Sequence, residues 1–197
     1  MRIGMLGGSF DPPHVGHLLI AVDAFEALAL DKLYFIPAAI QPFKVGQAGA
    51  LARDRVEMTR RLVGDDARFG VDTIEADRQG VSYSVDTVMA YAERYPEAER
   101  FFLVGADVMP SFGSWREPDR IMRMAEVVVV HRGDRSTGAG QAVGAPESWR
   151  SRFREVTTRR IDVSSTEIRS RVKAGQSIAG FVPPLVAAYI ADAGLYR

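Results

Sequence analysis

Two histidines, His14 and His17, stand three residues apart at the end of the run Gly7-Gly8-Ser9-Phe10-Asp11-Pro12-Pro13. At that spacing in a helical first turn they lie on one side, where an imidazole can donate a hydrogen bond to phosphate oxygen or carry positive charge beside it. The run follows the apolar stretch Ile3 to Leu6. A strand that breaks into glycines, bends at a proline pair and enters a helix leaves backbone N–H groups facing a gap that suits an anion. The residues leave other readings open: His14 as a surface turn residue, His17 as a helix residue satisfied by a neighbouring carbonyl, or a metal site. The last needs ligands beyond two imidazoles and Asp11.

A second group of donors is Ser164-Ser165-Thr166-Glu167-Ile168-Arg169. Ser164 can cap the amide three residues on while Glu167 reaches back, a capping box that starts a helix. The same exposed amides, with the hydroxyls of Ser165 and Thr166 and the fork of Arg169 about one turn later, form a site for phosphates. Between the two clusters stand Ser82-Tyr83-Ser84-Val85-Asp86-Thr87, then Gly105-Ala106-Asp107 with Trp115 eight residues on, and His131-Arg132. Asp107 suits either a ribose or adenine contact or a helix N-cap. Trp115 suits either a core or a stacking platform, and Arg132 either a phosphate contact or a surface salt bridge.

These residues need a frame that brings them together. Ile3 to Leu6, Leu33 to Ile36, Phe69 to Ile74, Phe101 to Val104 and Val127 to Val130 are short, β-branched or aromatic runs bounded by Gly, Pro or charge, and they predict strands, most of them buried on both faces. Val156 to Val163 predicts a last strand. Leu18, Leu19, Val22, Phe25 and Leu28 recur at helical spacing, as do Leu51, Met58 and Leu62, and Val85, Val88, Met89 and Ala92. A proline pair at Pro183-Pro184 opens a final helix with an apolar face at Leu185, Ala188, Tyr189 and Ala193. Alternating strand and helix means right-handed crossovers and an α/β, Rossmann-like, doubly wound and mostly parallel sheet, with helices on both faces and a C-terminal helical cap. In such a sheet ligands collect beyond the carboxyl ends of the strands. The histidine run, Gly105-Ala106-Asp107 and His131-Arg132 all fall at such ends. The segment from Gly133 to Ser148, rich in Gly, Ala and Ser, predicts an exposed excursion rather than an interdomain linker.

Composition narrows the classes. At 197 residues with 47% apolar content, the chain can bury one good core as a single domain, residues 1–197, with a helical part from about 164 to 197. Twenty-five basic and 25 acidic residues cancel, which argues against a polybasic nucleic-acid or membrane surface. No cysteine is present, so disulfides and thiolate metal sites are excluded. No run approaches the roughly 20 apolar residues of a membrane span, and Met1-Arg2-Ile3-Gly4-Met5 lacks a signal-peptide core, so a cytoplasmic protein is expected.

In order and separation these motifs, together with Gly194-Leu195-Tyr196-Arg197, resemble the bacterial nicotinate-nucleotide adenylyltransferases of the HxGH nucleotidylyltransferase superfamily, and the likeness runs from Met1 to Arg197. The resemblance implies adenylyl transfer from ATP to nicotinate mononucleotide, giving deamido-NAD and pyrophosphate. It implies catalytic roles for His14, His17, Lys44 and Arg169. ATP would be bound by Gly7, Gly8, Ser9, Phe10, His14, Gly16, His17, Gly105, Asp107, Arg132, Ser164, Ser165, Thr166 and Arg169. Nicotinate mononucleotide would be bound by Ser9, Lys44, Tyr83, Ser84 and Trp115, with the pyridine ring stacked on Trp115. Mg2+ would travel with ATP, since no acidic cluster forms a protein cage for it. The partners implied are the two nucleotides, with no nucleic acid and no membrane, for a monomer or a homo-oligomer. One departure stands out: the family's usual Pro-Pro-His-Lys is here Gln41-Pro42-Phe43-Lys44, so the loop histidine is missing.

Rival readings are an adenylyltransferase that takes nicotinamide mononucleotide or phosphopantetheine, a redox dinucleotide-binding protein, a tRNA synthetase fragment and a non-catalytic nucleotide sensor. Gly7-Gly8-Ser9-Phe10 does not fit Gly-x-Gly-x-x-Gly, and no acidic residue ends the second strand, which disfavours the redox class. A synthetase would be longer and would carry a lysine-rich second signature. Only turnover separates an enzyme from a sensor.

Overall fold

The computed structural model describes residues 1–40, 49–78, 80–133, 149 and 151–197. Six strands, β1 (Arg2–Gly8), β2 (Lys32–Pro37), β3 (Phe69–Val71), β4 (Glu99–Gly105), β5 (Glu126–Arg132) and β6 (Arg154–Thr158), form one parallel sheet in the order β3-β2-β1-β4-β5-β6. The helices are α1 (Val15–Ala27), α2 (Ala52–Val63), α3 (Ile74–Arg78), α4 (Ser84–Arg94), α5 (Pro118–Met124), α6 (Ser165–Lys173) and α7 (Pro184–Asp192), with a 3-10 helix at Ala106–Ser114. The expected α/β, Rossmann-like fold is what the chain adopts. In this strand order the sequence direction reverses between β1 and β4, the switch point at which such folds leave a crevice. Gly7-Gly8 ends β1 and Gly105 ends β4.

The residues cluster into two compact units. The first comprises Met1–Gly7, Ile20–Tyr34 and Tyr83–Ile161. Its strands are buried almost completely because both faces are covered: Ile3, Met5, Phe101, Leu103 and Val127 to Val130 have next to no exposure. Beside β1, a Cβ at Gly4 would come within 2.6 Å of Leu30 Cδ1 and 3.2 Å of Leu33 Cγ, so glycine is what lets the strand and those leucines meet. Helix α4 turns Val85, Val88 and Tyr91 inward and packs beside α5.

The second unit comprises Gly8–Leu19, Phe35–Ser82 and Asp162–Arg197. Its core joins Met58, Leu62 and Val63 of α2 with Phe35, Phe69, Ile168, Val182, Val186 and Ile190. Helices α2 and α7 are further tied by the Tyr189 hydroxyl donating to Asp54 Oδ1 at 2.9 Å and by the Arg61 guanidinium over the Tyr189 ring.

Several sequence expectations are corrected. The strand expected from Phe69 to Ile74 stops at Val71, because Asp72 Oδ1 accepts the Ile74 amide and α3 begins there. The last strand, expected to run to Val163, stops at Thr158. The next residue, Arg159, gives its amide to Asp23 Oδ2 at 2.8 Å and its guanidinium to the same carboxylate at 2.7 Å, leaving the ladder. Leu51 is exposed and precedes α2 rather than joining its buried face. The final helix buries Val186 and Ile190, while Leu185, Ala188 and Ala193 face solvent. Its apolar stripe is therefore one position off the expected one, since Tyr189 is amphipathic and sits at the margin. Helix α1 buries Ala21 and Ala24, with Leu28 just past its end, and leaves Leu18, Leu19, Val22 and Phe25 half-buried, because small residues allow the closest approach. The segment expected as an excursion falls almost wholly outside the described residues.

Asp23 links α1 to the end of β6 electrostatically. Partial burial pushes its carboxyl up, but the side-chain and backbone hydrogen bonds from Arg159 and the nearby positive charge outweigh that, so it lies below the ordinary value of 3.8. A carboxyl lowered by folding adds stability above its unfolded value, and the contribution disappears as pH falls through the folded one. Wild type should therefore exceed Asp23→Asn in urea-unfolding free energy at pH 7, and the difference should close below about pH 4. A difference independent of pH would contradict the charge-assisted origin.

Candidate active site

The loop that leaves β1 is shaped by packing against itself. Phe10 has φ 49°, a left-handed conformation that costs a bulky residue about 1 kcal/mol or more. That turn folds its ring back over Gly8, where a Cβ would lie 2.9 Å from Phe10 Cζ. The buried ring then meets His17 edge-on at 5.0 Å and Phe35 at 5.7 Å. Gly7 differs: a Cβ there would meet nothing within 4 Å, so its backbone lies open to a ligand.

The histidines come together at the head of α1. His14 is buried, just ahead of the helix, and its ring lies 3.8 Å from that of His17. His17 Nδ1 accepts the backbone N–H of His14 at 3.2 Å. A neutral imidazole that accepts at Nδ1 carries its proton on Nε2, so Nε2 is the donor atom of a neutral His17 ring. Gly16 makes room for this arrangement, as a Cβ there would come within 3.0 Å of His14 Nδ1. The Val15 amide goes to the Phe181 carbonyl and the His17 amide to the His14 carbonyl, while that of Gly16 has no acceptor among the described residues.

From the other end of the sequence, α6 reaches the same loop. Ser164 caps the helix, its Oγ accepting the Glu167 amide at 3.1 Å. The expected capping box is only half made: among the described residues Glu167 does not return a bond to the Ser164 amide. The Ser165 and Thr166 amides likewise have no acceptor among the described residues. Ser165 Oγ donates to the Pro12 carbonyl at 2.8 Å, and Arg169 Nη1 donates to the Asp11 carbonyl at 2.7 Å. So His14, His17 and Arg169, with the free amides of Gly16, Ser165 and Thr166, gather around Asp11-Pro12, all within the second unit.

Asp11 does not turn toward the histidines, as a metal ligand would. Its carboxylate accepts the Ala50 amide at 3.1 Å and the Tyr196 hydroxyl at 2.6 Å. Close by, the buried Arg55 donates to the carbonyls of Ala50 at 3.1 Å, Ser9 at 2.7 Å and Ala39 at 2.8 Å. Sequence reasoning missed both Arg55 and the carboxylate's role. Arg55 has no local signal, standing among Arg53, Arg60 and Arg61 on a charged helix.

The remaining expected site residues lie in the first unit, except Lys44, which falls outside the described residues with its whole loop. A Cβ on Gly105 would collide with the Asp107 carboxylate, so glycine lets that carboxylate fold back over the strand end. Asp107 is exposed and is not an N-cap: Gly105 holds the cap position of the 3-10 helix, with no side-chain cap bond. Arg132 is exposed at the end of β5. Trp115 is half-buried, its ring tilted on Phe112 at 5.2 Å and edge-on to Phe102 at 6.3 Å, its indole N–H donating to Ser111 Oγ at 3.3 Å. Tyr83 caps α4, Ser84 starts it, and the Arg116 guanidinium lies 5.0 Å over the Tyr83 ring. The Trp115-Arg116 step therefore lies beside the Tyr83-Ser84 turn. Arg116 is a further cation that sequence reasoning overlooked.

Comparison with known proteins identifies the family. The cytidylyltransferase-like family model matches residues 5–171. A protein of Gemmatimonas aurantiaca named a probable nicotinate-nucleotide adenylyltransferase is 50% identical over 198 residues, covering 100% of this chain and 93% of that one. A protein of the same name from Thermus thermophilus is 42% identical, with 100% of each chain covered. Among solved structures, the nicotinic acid mononucleotide adenylyltransferase of Plasmodium falciparum complexed with NaAD superposes with a TM-score of 0.74 at 18% identity, covering 99% of this chain and 97% of that one, a likeness of fold. With a family model matched over most of its length and full-length relatives at such identity, the chain belongs to the cytidylyltransferase-like family and, within it, to the nicotinate-nucleotide adenylyltransferases.

Proposed function

We propose that the chain transfers the adenylyl group of ATP to nicotinate mononucleotide, forming deamido-NAD and pyrophosphate in NAD biosynthesis. The observation that carries this reading is the bond from Arg169 to the Asp11 carbonyl, which gathers imidazole, guanidinium and unpaired amide donors from distant parts of the sequence around one loop. Such a set suits a triphosphate: several N–H donors and one delocalised cation, with the Asp11 carboxylate engaged by Ala50 and Tyr196.

An oxygen of the acceptor's phosphate attacks the α-phosphorus in line. The new P–O bond forms as the bond to the β-phosphate oxygen breaks, and the electron pair leaves with pyrophosphate. No covalent intermediate with the protein is needed, so its work is positioning and charge stabilisation. His17, with its proton on Nε2, donates to an α-phosphate oxygen where charge builds up, and His14 supports it from beneath. The amides of Ser165 and Thr166 and the guanidinium of Arg169 take the leaving β- and γ-phosphates. Ser9, Gly8 and the open backbone at Gly7 let the phosphates come close. ATP enters as its magnesium complex, the ion neutralising the triphosphate as part of the substrate.

Asp107 and Arg132 contact the adenosine part, and Lys44 a phosphate. Tyr83, Ser84 and Trp115 hold the nicotinate nucleotide, backbone N–H groups selecting a carboxylate over an amide. In this reading the enzyme is cytoplasmic and works on small nucleotides alone, without nucleic acid or membrane. No helix among the described residues is long and apolar enough to cross a membrane.

Incubating the chain with ATP, magnesium and each of nicotinate mononucleotide, nicotinamide mononucleotide and phosphopantetheine, then quantifying pyrophosphate and adenylylated product, tests the assignment. Product with the nicotinate acceptor is expected; product only with one of the other two, or none, overturns it. His17→Ala should lower kcat by about a hundredfold or more, the loss typical of a transition-state donor, with the fold retained by circular dichroism. Near-normal turnover would remove the histidine from the chemistry. For Trp115→Ala, the KM for nicotinate mononucleotide should rise by about tenfold or more while the KM for ATP stays within about twofold; equal changes in both would assign the indole to packing with Phe112 instead.

A further inference from the structure

The cluster of Asp11, Arg55 and Tyr196 takes no part in the steps above, yet it lies directly behind them. Tyr196 follows α7 and reaches back through a left-handed turn, with φ 63° at Gly194 and φ 66° at Tyr196 itself. A tyrosine holds that conformation only where its surroundings over-determine it. Here the surroundings are the Asp11 carboxylate, which takes its hydroxyl at 2.6 Å, and the Met58 sulfur at 4.0 Å. Burial, the hydrogen bond to Asp11 and the carboxylate's charge hold the phenol far above its ordinary pKa of 10, so it stays a donor at any working pH.

Asp11 is thus held twice. Its carboxylate is held by Tyr196 and the Ala50 amide, and its main-chain carbonyl by Arg169, while Ser165 holds the adjoining carbonyl of Pro12. Two prolines separate Asp11 from His14, so the intervening φ angles are locked and little slack absorbs a shift of the aspartate.

We propose that Tyr196 is a positioning residue: by holding the Asp11 carboxylate it fixes the loop on which His14, His17 and Arg169 converge. Its hydroxyl touches no substrate. It sets the register between α6 and the head of α1, and hence the geometry of the phosphate donors. This rests on the reading above that those donors bind the triphosphate.

The same unit supplies a matched control. Tyr189 also donates its hydroxyl to a carboxylate, Asp54 Oδ1 at 2.9 Å, tying α7 to α2 rather than to Asp11. Tyr196→Phe and Tyr189→Phe each delete one such hydrogen bond and keep the ring. Both variants of the full chain are compared with wild type by calorimetric binding of magnesium tripolyphosphate, by steady-state kinetics and by thermal unfolding. Tyr196→Phe is expected to weaken tripolyphosphate binding and lower kcat, each by about tenfold or more, the scale of one lost hydrogen bond to a charged group. The KM for nicotinate mononucleotide should stay within about twofold. Tyr189→Phe should lower the Tm but leave binding and kcat within about twofold.

Values within about twofold of wild type for Tyr196→Phe, or equal losses in the two variants, overturn the proposal. Asp11→Asn carries the test if Tyr196→Phe does not fold. A neutral acceptor weakens the same bond without deleting it, so a smaller loss in the same two readouts is expected, and wild-type tripolyphosphate binding would overturn the proposal. A wild-type chain that binds tripolyphosphate but adenylylates no nicotinate mononucleotide overturns the proposed reaction, while the binding comparison still decides the role of Tyr196.

Discussion

A buried guanidinium is the interaction on which the phosphate loop depends. Moving an arginine out of water costs several kcal/mol unless each face of its fork finds an acceptor. In this fold Arg55 meets that demand with the carbonyls of Ser9, Ala39 and Ala50. These carbonyls belong to the segments after β1, after β2 and before α2, where no ladder or helix supplies partners. Burial pulls the guanidinium below its ordinary value, and the nearby Asp11 and Tyr196 oppose that pull. The bond therefore works in both directions: the segments satisfy the cation, and the cation fastens three turns to one point. The loop with the histidines can then hold Phe10 in its left-handed turn and stack His14 on His17.

The site builds a strong local anion preference in a chain whose basic and acidic residues are equal in number. It does so with few formal charges, relying on amides of Gly16, Ser165 and Thr166 that have no acceptor among the described residues, two imidazoles and one arginine fork. Such donors act over hydrogen-bond distances only, so they are worth little unless held in place. That explains why so much of the surrounding structure consists of bonds that do no chemistry: Arg169 to the Asp11 carbonyl, Ser165 to the Pro12 carbonyl, and Asp11 to Ala50 and Tyr196. Membership in an adenylyltransferase family fits this economy, because adenylyl transfer asks a protein for alignment more than for reactive groups.

Much of this is legible in the sequence itself. Continuous apolar runs such as Val127 to Val130 mark buried parallel strands, the proline pair at Pro183-Pro184 marks a helix start, and Ser164 marks a cap, each because the cause lies within a few residues of the effect. Boundaries were less legible where a side chain intervened: Asp72 ended β3 by capping α3, and Asp23 drew Arg159 out of β6. The stripe of α7 was misplaced by one position because Leu185 and Val186 are equally apolar and only the neighbour they meet distinguishes them. By sequence Trp115 suits either core or platform, and in the fold it is half-buried, leaning on two phenylalanines.

The sequence alone determined the sheet-and-helix alternation, the placing of glycines and histidines at strand ends and the family to which those motifs belong, because these follow from local periodicity and from residue types at short spacing. Only the tertiary structure decided that Arg55 is the buried fastener, that Asp11 faces Tyr196 rather than the histidines, and that Arg169 closes on the loop after β1. These partners are separated by 46, 185 and 158 residues. No local rule ranks one arginine or aspartate above its neighbours at such separations. The choice is made when packing removes water from one of them and leaves a single set of acceptors within reach.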